Sequence, residues 1–319
     1  MQKKSREEKM SEIQQKLEDG TRAIFESGEY AEYIKAFSRF PRYSINNCIL
    51  IASQRPDATY VCGMKTWNDL NRRINKNEHG IMILAPVKRK ADVEEQVFDE
   101  ANHPVIGEDG KPVTEKVTRE FQSFRPVYVW DYAQTSGEPL PSLVHNLVGD
   151  VAGFDELKQV LMEISPVPIT FESFKSSANG YYSPLEKKIV VKENLSELQT
   201  VKTMLHEIAH ATLGHGSKED KWDKETHEVQ AESIAFWVAA MLKDENGNGL
   251  DTSDYSFGYI SGWSKDKEVS ELKENLEIVK TTAYQISKAI EEKIIELHEK
   301  KAVEEMPEYE EFEVPHKKR

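Results

Sequence analysis

The chain has 319 residues, 13 of them Pro and 16 Gly, and 38% hydrophobic side chains. That excludes a collagen-like or low-complexity chain and suits two domains of about 100–200 residues each. The net charge of −14 argues, taken whole, against nucleic acid, but it is uneven. Residues 1–150 carry 21 basic and 23 acidic side chains, residues 151–319 carry 21 and 33, and the window 21–90 carries 12 and 6. No apolar run approaches the roughly 18 residues that span a bilayer. Residues 1–9 lack the apolar stretch of a signal peptide, so the expectation is a cytoplasmic protein with no membrane partner.

Ile13, Leu17, Ile24, Phe25 and Tyr33 recur at helical spacing and predict one helix over residues 5–37. After Pro41, residues 44–53 predict a second, buried helix, in which Asn46 and Asn47 sit oddly beside the apolar run. Cys48 and Cys62 fit a reducing compartment and read as small apolar filler. Residues 80–87 (GIMILAPV) form a strand and residues 121–130 its returning partner. The polar stretch 91–118, with Pro104, Gly107, Gly110 and Pro112, is expected to be a loop or insertion, and residues 135–141 an interdomain linker. Beyond it come a short amphipathic helix over 154–164 and strands at 169–174 and 187–192, with Asn179-Gly180 as turn chemistry between them. Helices follow at 200–214, 225–243 and 268–301, with a polar loop over 247–256. Six glutamates from Glu304 onward predict an acidic, disordered tail. The fold class is α+β in two domains: a small α+β module over 1–142, a second domain over 143–302, and a tail over 303–319.

The strongest chemical signal is His206-Glu207-Ile208-Ala209-His210, an HExxH motif. Helical residues four apart share a face, so both imidazoles can reach one zinc ion at about 2.0–2.1 Å, with Glu207 beside them as general base toward water. A catalytic zinc needs a third protein ligand. A third histidine is excluded in the HExxHxxGxxH pattern, because Leu213 and Gly216 occupy its glycine and histidine positions. The next helix offers Glu228 and Glu232, four apart. Glu228 is assigned as ligand and Glu232 as acceptor of a hydrogen bond from a ligand histidine, although spacing also permits the exchange. The apolar run over 234–240 predicts that this helix is buried. His215, just after a glycine and out of phase, reads as exposed, and His227 as a residue of the pocket mouth. Tyr259 is either an oxyanion donor or a packed core side chain. Manganese or another divalent ion fits the same donors as zinc.

The segments HEIAHATLGH and HEVQAESIAFWVA resemble the zincin-like metallopeptidases of the ImmA/IrrE and ArdC superfamily. Residues 178–182, 188–191 and 257–263 resemble that family's flanking stretches. The resemblance implies a zincin-like, gluzincin-type domain holding Zn2+ and acting on a protein or peptide substrate. Residues 43–47 (YSINN), 61–67 and 74–81 resemble the ArdC-type N-terminal domain, with 127–141 as its closing strand and linker. The family's Lys-Gly-Glu turn reads Lys76-Asn77-Glu78 here, and Asn tolerates the left-handed conformation such a turn needs. LtrC-like proteins of conjugative elements are also similar. This half of the resemblance implies single-stranded DNA as partner and an antirestriction-like role in a mobile element. The residues for it are Arg42, Tyr43, Asn46, Lys65, Trp67, Arg72, Arg73, Lys76, Lys88, Arg89 and Lys90, with Phe37 and Tyr60 as further stacking aromatics. The same aromatics equally suit a core. Two other functions stay open: a non-catalytic DNA-binding antirestriction protein with a structural or vestigial metal, and a regulatory protease that cleaves a repressor.

Overall fold

A computed structural model describes residues 5–99, 102–107, 110–140, 153–242, 250, 257 and 260–304, the side chains of 6 and 301–304 excepted. The chain forms two compact units: Met1–Gly20 with Asn46–Glu138, and Thr21–Ile45 with Pro139–Arg319. Residues 21–45, expected with the N-terminal module, thus belong to the second unit. Among the described residues no helix is long and apolar enough to cross a membrane. The expected helix over 5–37 is two helices, α1 (Arg6–Glu26) and α2 (Tyr30–Ser38). Gly28, at φ +79°, turns the chain between them, a conformation that costs glycine little.

The first unit contains most of α3 (Ile45–Gln54), then β1 (Val61–Cys62), α4 (Met64–Asp69), β2 (Arg72–Ile74), β3 (Ile81–Gln96), β4 (Thr114–Asp131) and β5 (Thr135–Gly137). One sheet has the order β1-β4-β3, and β2 pairs separately with β5; every pairing is antiparallel. Ile13, Leu17, Ile49, Leu50, Ile51, Ile81, Ile83 and Val129 fill its core. α1 and α3 touch at Gly20, where a Cβ would lie 2.7 Å from Ile49 Cγ2. The odd asparagine finds its reason here. Asn47 Nδ2 donates to Leu84 O and Leu84 N donates to Asn47 Oδ1, both at 2.9 Å. One strand period away, Gln54 makes the same exchange with Met82 at 2.9 and 3.0 Å. Two side-chain amides on α3 thereby occupy the backbone groups of β3 on the edge away from β4, where an unpaired strand would otherwise invite a foreign one.

Two expectations in this unit need correction. The stretch 91–118 is not a loop throughout: β3 and β4 stay in register from Ile81↔Val129 to Gln96↔Thr114, and 97–113 joins them. Both faces of the outer ribbon are largely exposed, so no apolar alternation marks it as strand. Nor is 135–141 simply linker, since Thr135–Gly137 is a strand locked to β2. Arg72 does the locking. Its guanidinium donates to Thr135 Oγ1 at 2.9 Å, Thr135 O at 3.0 Å and Gly137 O at 3.3 Å, and to Glu138 O, and it lies 4.0 Å from the ring centre of Tyr132. At the turn before β3, Asn77 takes φ +69°, the left-handed conformation its place in the motif asks of it.

In the second unit, α5 (Phe154–Ile164) leads to a sheet of β6 (Ile169–Glu172), β7 (Gly180–Ser183) and β8 (Lys188–Lys192), followed by α6 (Glu197–Leu213), α7 (Lys224–Met241), α8 (Ile260–Ser264) and α9 (Val269–Glu304). The sheet order is β6-β8-β7, with β6 parallel and β7 antiparallel to β8. Asn179-Gly180 is therefore not a turn joining two strands; it opens a third, edge strand. A Cβ on Gly180 would lie 2.7 Å from Thr203 Cγ2 and 2.9 Å from Val190 O, so glycine lets β7 lie against α6. α7 is buried nearly all round, through Ala231, Ile234, Ala235, Trp237 and Val238, as expected of a helix at the centre of a domain. Phe37 of α2 packs on Trp237 with ring centres 6.3 Å apart, and Tyr30 meets Ser233 at 2.8 Å. The polar loop over 247–256, except residue 250, and the tail from 305 lie outside the described residues.

Candidate metal centre

Ser196 caps α6 by accepting from Gln199 N at 3.3 Å, and Gly214, left-handed at φ +67°, ends it. Between these stops the spacing of the motif puts His206 and His210 on one face, their Nε2 atoms 3.0 Å apart. Asp223 starts α7 by accepting from Thr226 N at 2.7 Å. One turn on, Glu228 reaches the same point, with Oε2 3.4 Å from His206 Nε2 and Oε1 3.9 Å from His210 Nε2. Ligand atoms of all three lie within 4.8 Å of one another. Two ligands held at about 2.0–2.1 Å from a common ion stand roughly 3–3.5 Å apart, so the donor set suits a divalent ion. Glu232, the other carboxylate of the pair, instead meets His206 Nδ1 at 3.0 Å.

The cavity over these groups holds about 620 Å³ and is also lined by Asn179, Gly180, Tyr181, Lys202 and Lys224. Glu207 borders it but is only 7% exposed. Burial raises its carboxyl to about 7, against the charge of His206 and a hydrogen bond from the Tyr182 backbone of β7, both of which lower it. Burial disfavours charge on His206 too, but hydrogen bonds to Glu228 and Glu232 and the charge of Glu207 outweigh it and carry the imidazole to about 10. His210 goes the other way, to about 3, through burial and its histidine neighbours.

His215 is the main surprise. Expected to be exposed, it is buried at 4% exposure, with Nδ1 2.8 Å from His210 Nδ1 and Nε2 2.9 Å from Gln230 Oε1. The turn after Gly214 folds it back beneath α6, and helical phase says nothing about residues past a helix stop. His227 stacks on it at 4.2 Å and lines the cavity. Tyr182, Gln230 and His215 had no motif to reveal them; each is placed by tertiary contact. Tyr259 lies outside the described residues.

Two family models match the chain. Residues 3–130 match the N-terminal domain of anti-restriction factor ArdC, and residues 162–244 the IrrE N-terminal-like domain of the M78 peptidases. The chain is ArdC-like, with an IrrE-like peptidase domain. The Mn(II)-bound crystal structure of antirestriction protein ArdC from the R388 plasmid has the same fold: TM-score 0.52, 18% identity, covering 88% of this chain and 97% of that one. The metal-free crystal structure of that protein gives a TM-score of 0.44 at 19% identity, over 80% and 86% of the two chains. An uncharacterized protein of Bacillus anthracis is 25% identical over 91% of this chain. The match takes in 52% of that protein, so the ArdC-like chain spans about half the length of this curated relative.

The residues expected to touch DNA separate once placed in the ArdC-like fold. Trp67 is fully buried, its Nε1 donating to Trp130 O at 2.9 Å, and Arg72 is occupied as described, so neither is a surface contact. Phe37 is core as well. Lys65, Arg73, Lys76, Lys88, Arg89 and Lys90 are exposed on the first unit, and Asn46 is half-buried there. Arg42, exposed, and Tyr43, half-buried, belong to the second unit. The sequence pattern missed three aromatics. Phe121, Phe124 and Tyr128 stand 45%, 46% and 42% exposed on β4, beside the basic residues of β3. Arg89 is opposite Phe121, and Pro86 opposite Phe124.

Proposed function

We propose that this ArdC-like chain is a cytoplasmic zinc metallopeptidase that also binds single-stranded DNA and serves a mobile or conjugative element in an antirestriction-like role. The observation that carries the reading is the convergence of His206, His210 and Glu228 on one point, with Glu207 beside it bordering a cavity of about 620 Å³. Two imidazoles and a carboxylate suit zinc; the R388 ArdC crystal structure contains Mn(II), which the same donors would also hold. A divalent ion there supplies a polarised scissile carbonyl and an acidified water. Glu207 takes a proton from the water as its oxygen bonds to the carbonyl carbon, and passes that proton to the leaving amine nitrogen as the C–N bond breaks. Its elevated carboxyl suits both halves of that exchange. Glu232 orients His206. The division of labour follows the two units rather than a single boundary near residue 142: DNA binding on residues 1–20 and 46–138, and hydrolysis of a protein or peptide on residues 21–45 together with the part of the chain from 139 to 302. Lys65, Arg73, Lys76, Lys88, Arg89 and Lys90 supply charge, and Phe124 and Tyr128, on the ribbon face of Lys88 and Lys90, supply stacking faces to a DNA path, while Arg89 and Phe121 pair on the opposite face.

Glu207→Gln is expected to keep the metal and to lower peptide hydrolysis by about 10²–10⁴-fold. Cleavage of a peptide library at the wild-type rate would sink the mechanism. A single-strand shift assay on the same variant and on His206→Ala separates the roles: unchanged DNA binding together with unchanged protection of DNA from restriction favours the binding-only reading.

A further inference from the structure

An unbroken chain of hydrogen bonds runs from α9 to His210, and its direction is set at the far end. The backbone carbonyl of Glu271 can only accept, and Asn275 Nδ2 donates to it at 3.0 Å. That turns Asn275 Oδ1 toward Gln230, whose Nε2 donates to it at 2.7 Å. Gln230 Oε1 therefore faces His215 and accepts from its Nε2–H at 2.9 Å. A neutral imidazole carries one N–H, so His215 Nδ1 is the acceptor for His210 Nδ1–H at 2.8 Å. His210 is left with a lone pair on Nε2, the atom nearest to His206 and Glu228. Gln230 and Asn275 are 0% and 2% exposed, so water does not compete for their amides. The ring of His215 is also held in plane: it stacks on His227 at 15°, and His227 Nε2 lies 2.6 Å from Asp220 Oδ2. Backbone N–H groups of Gly216 and Trp222 anchor that aspartate at 2.6 and 3.0 Å.

We infer that His215, Gln230 and Asn275 are positioning residues, a relay that fixes His210 as its Nδ1–H tautomer, so that one carbonyl on α9 decides which nitrogen this histidine offers to a divalent ion. The inference rests on the metal centre proposed above. Partners of this kind orient ligand histidines, and losing one typically costs about 10–100-fold in metal affinity.

The test uses the full 319-residue chain, stripped of metal, with two readouts. Long-range proton–nitrogen NMR correlations report the tautomer of His210, and titration with Mn(II) or Zn(II) reports affinity. The wild type is expected to show the Nδ1–H form. His215→Phe, which keeps the ring and removes the acceptor, is expected to lose that preference and to bind metal about 10–100-fold more weakly. His215→Asn, whose Oδ1 can stand where Nδ1 stood, is expected to recover most of both. Gln230→Met frees the tautomer of His215 and carries the test if His215→Phe does not fold. An Nε2–H form of His210 in the wild type would overturn the relay, as would wild-type affinity in His215→Phe or an equal loss in His215→Asn. A wild type with the Nδ1–H form that takes up no metal would overturn the metal centre and still bear the relay out.

Discussion

The ribbon of β3 and β4 and the helix pair α6–α7 solve opposite problems. At the metal centre the decisive spacing is local: four residues separate His206 from His210, four separate Glu228 from Glu232, and two helix caps hold the frames. In the first unit nothing decisive is local. β3 is held on one side by a strand that returns after residue 113 and on the other by Asn47 and Gln54, 37 and 28 positions away from their partners. Local spacing yields a cluster of donor atoms whose single substitutions are expected to be felt first as lost metal affinity. Distant pairing yields a surface whose single substitutions are felt first as stability.

The largest expected effect tests the local side. His206 is protonated in the metal-free centre up to about pH 10, and a ligand must shed its proton to bind. Affinity for Mn(II) should therefore rise with pH, by up to about tenfold per unit and about a hundredfold between pH 6.5 and 8.5, with one proton released per ion. Flat affinity across that range would show that Glu228 and Glu232 do not hold the proton there. Next comes the distant side. Asn47→Ala strips two hydrogen bonds from Leu84 and should cost about 2 kcal/mol in urea unfolding, with little change in metal affinity. A neutral Asn47→Ala would erase the contrast. The smallest effect concerns the surface itself. Replacing Lys88 and Lys90 together by Ala should weaken single-stranded DNA binding about fivefold at moderate salt and lower the salt slope by about 1.4, at about 0.7 per phosphate contact. An unchanged slope would move the DNA path elsewhere.

How much of this could be read in the sequence follows the same divide. Residues 154–164, the α6 helix with its stop at Gly214, and the convergence of two histidines with a glutamate of the next helix all obey rules of three or four residues, and the geometry has them together. His215 escaped because it lies one residue past a helix stop, where phase carries no information. β7 escaped because four residues, Gly180–Ser183, look like a turn with two tyrosines until α6 is there to receive them. The outer ribbon escaped because exposure on both faces removes the alternation that marks a strand. Trp67 and Arg72 were misread for a related reason: an aromatic and a cation look alike in sequence whether they face DNA or hold a neighbouring strand.

The excursion of residues 21–45 bears on how the protein can be divided at the bench. A cut near residue 142 looks natural, yet it would leave the metal-centre unit without Phe37 against Trp237 and without Tyr30 bonded to Ser233. The N-terminal fragment would carry those apolar side chains with their partners gone. The second unit therefore cannot be cut out as one contiguous piece of the gene that leaves the first unit behind. A recombinant version of the second unit that folds like the whole would have to be spliced, residues 21–45 joined by a designed connection to 139 onward. By the same logic, a ribosome making this chain releases both halves of the first unit before the second can close its core.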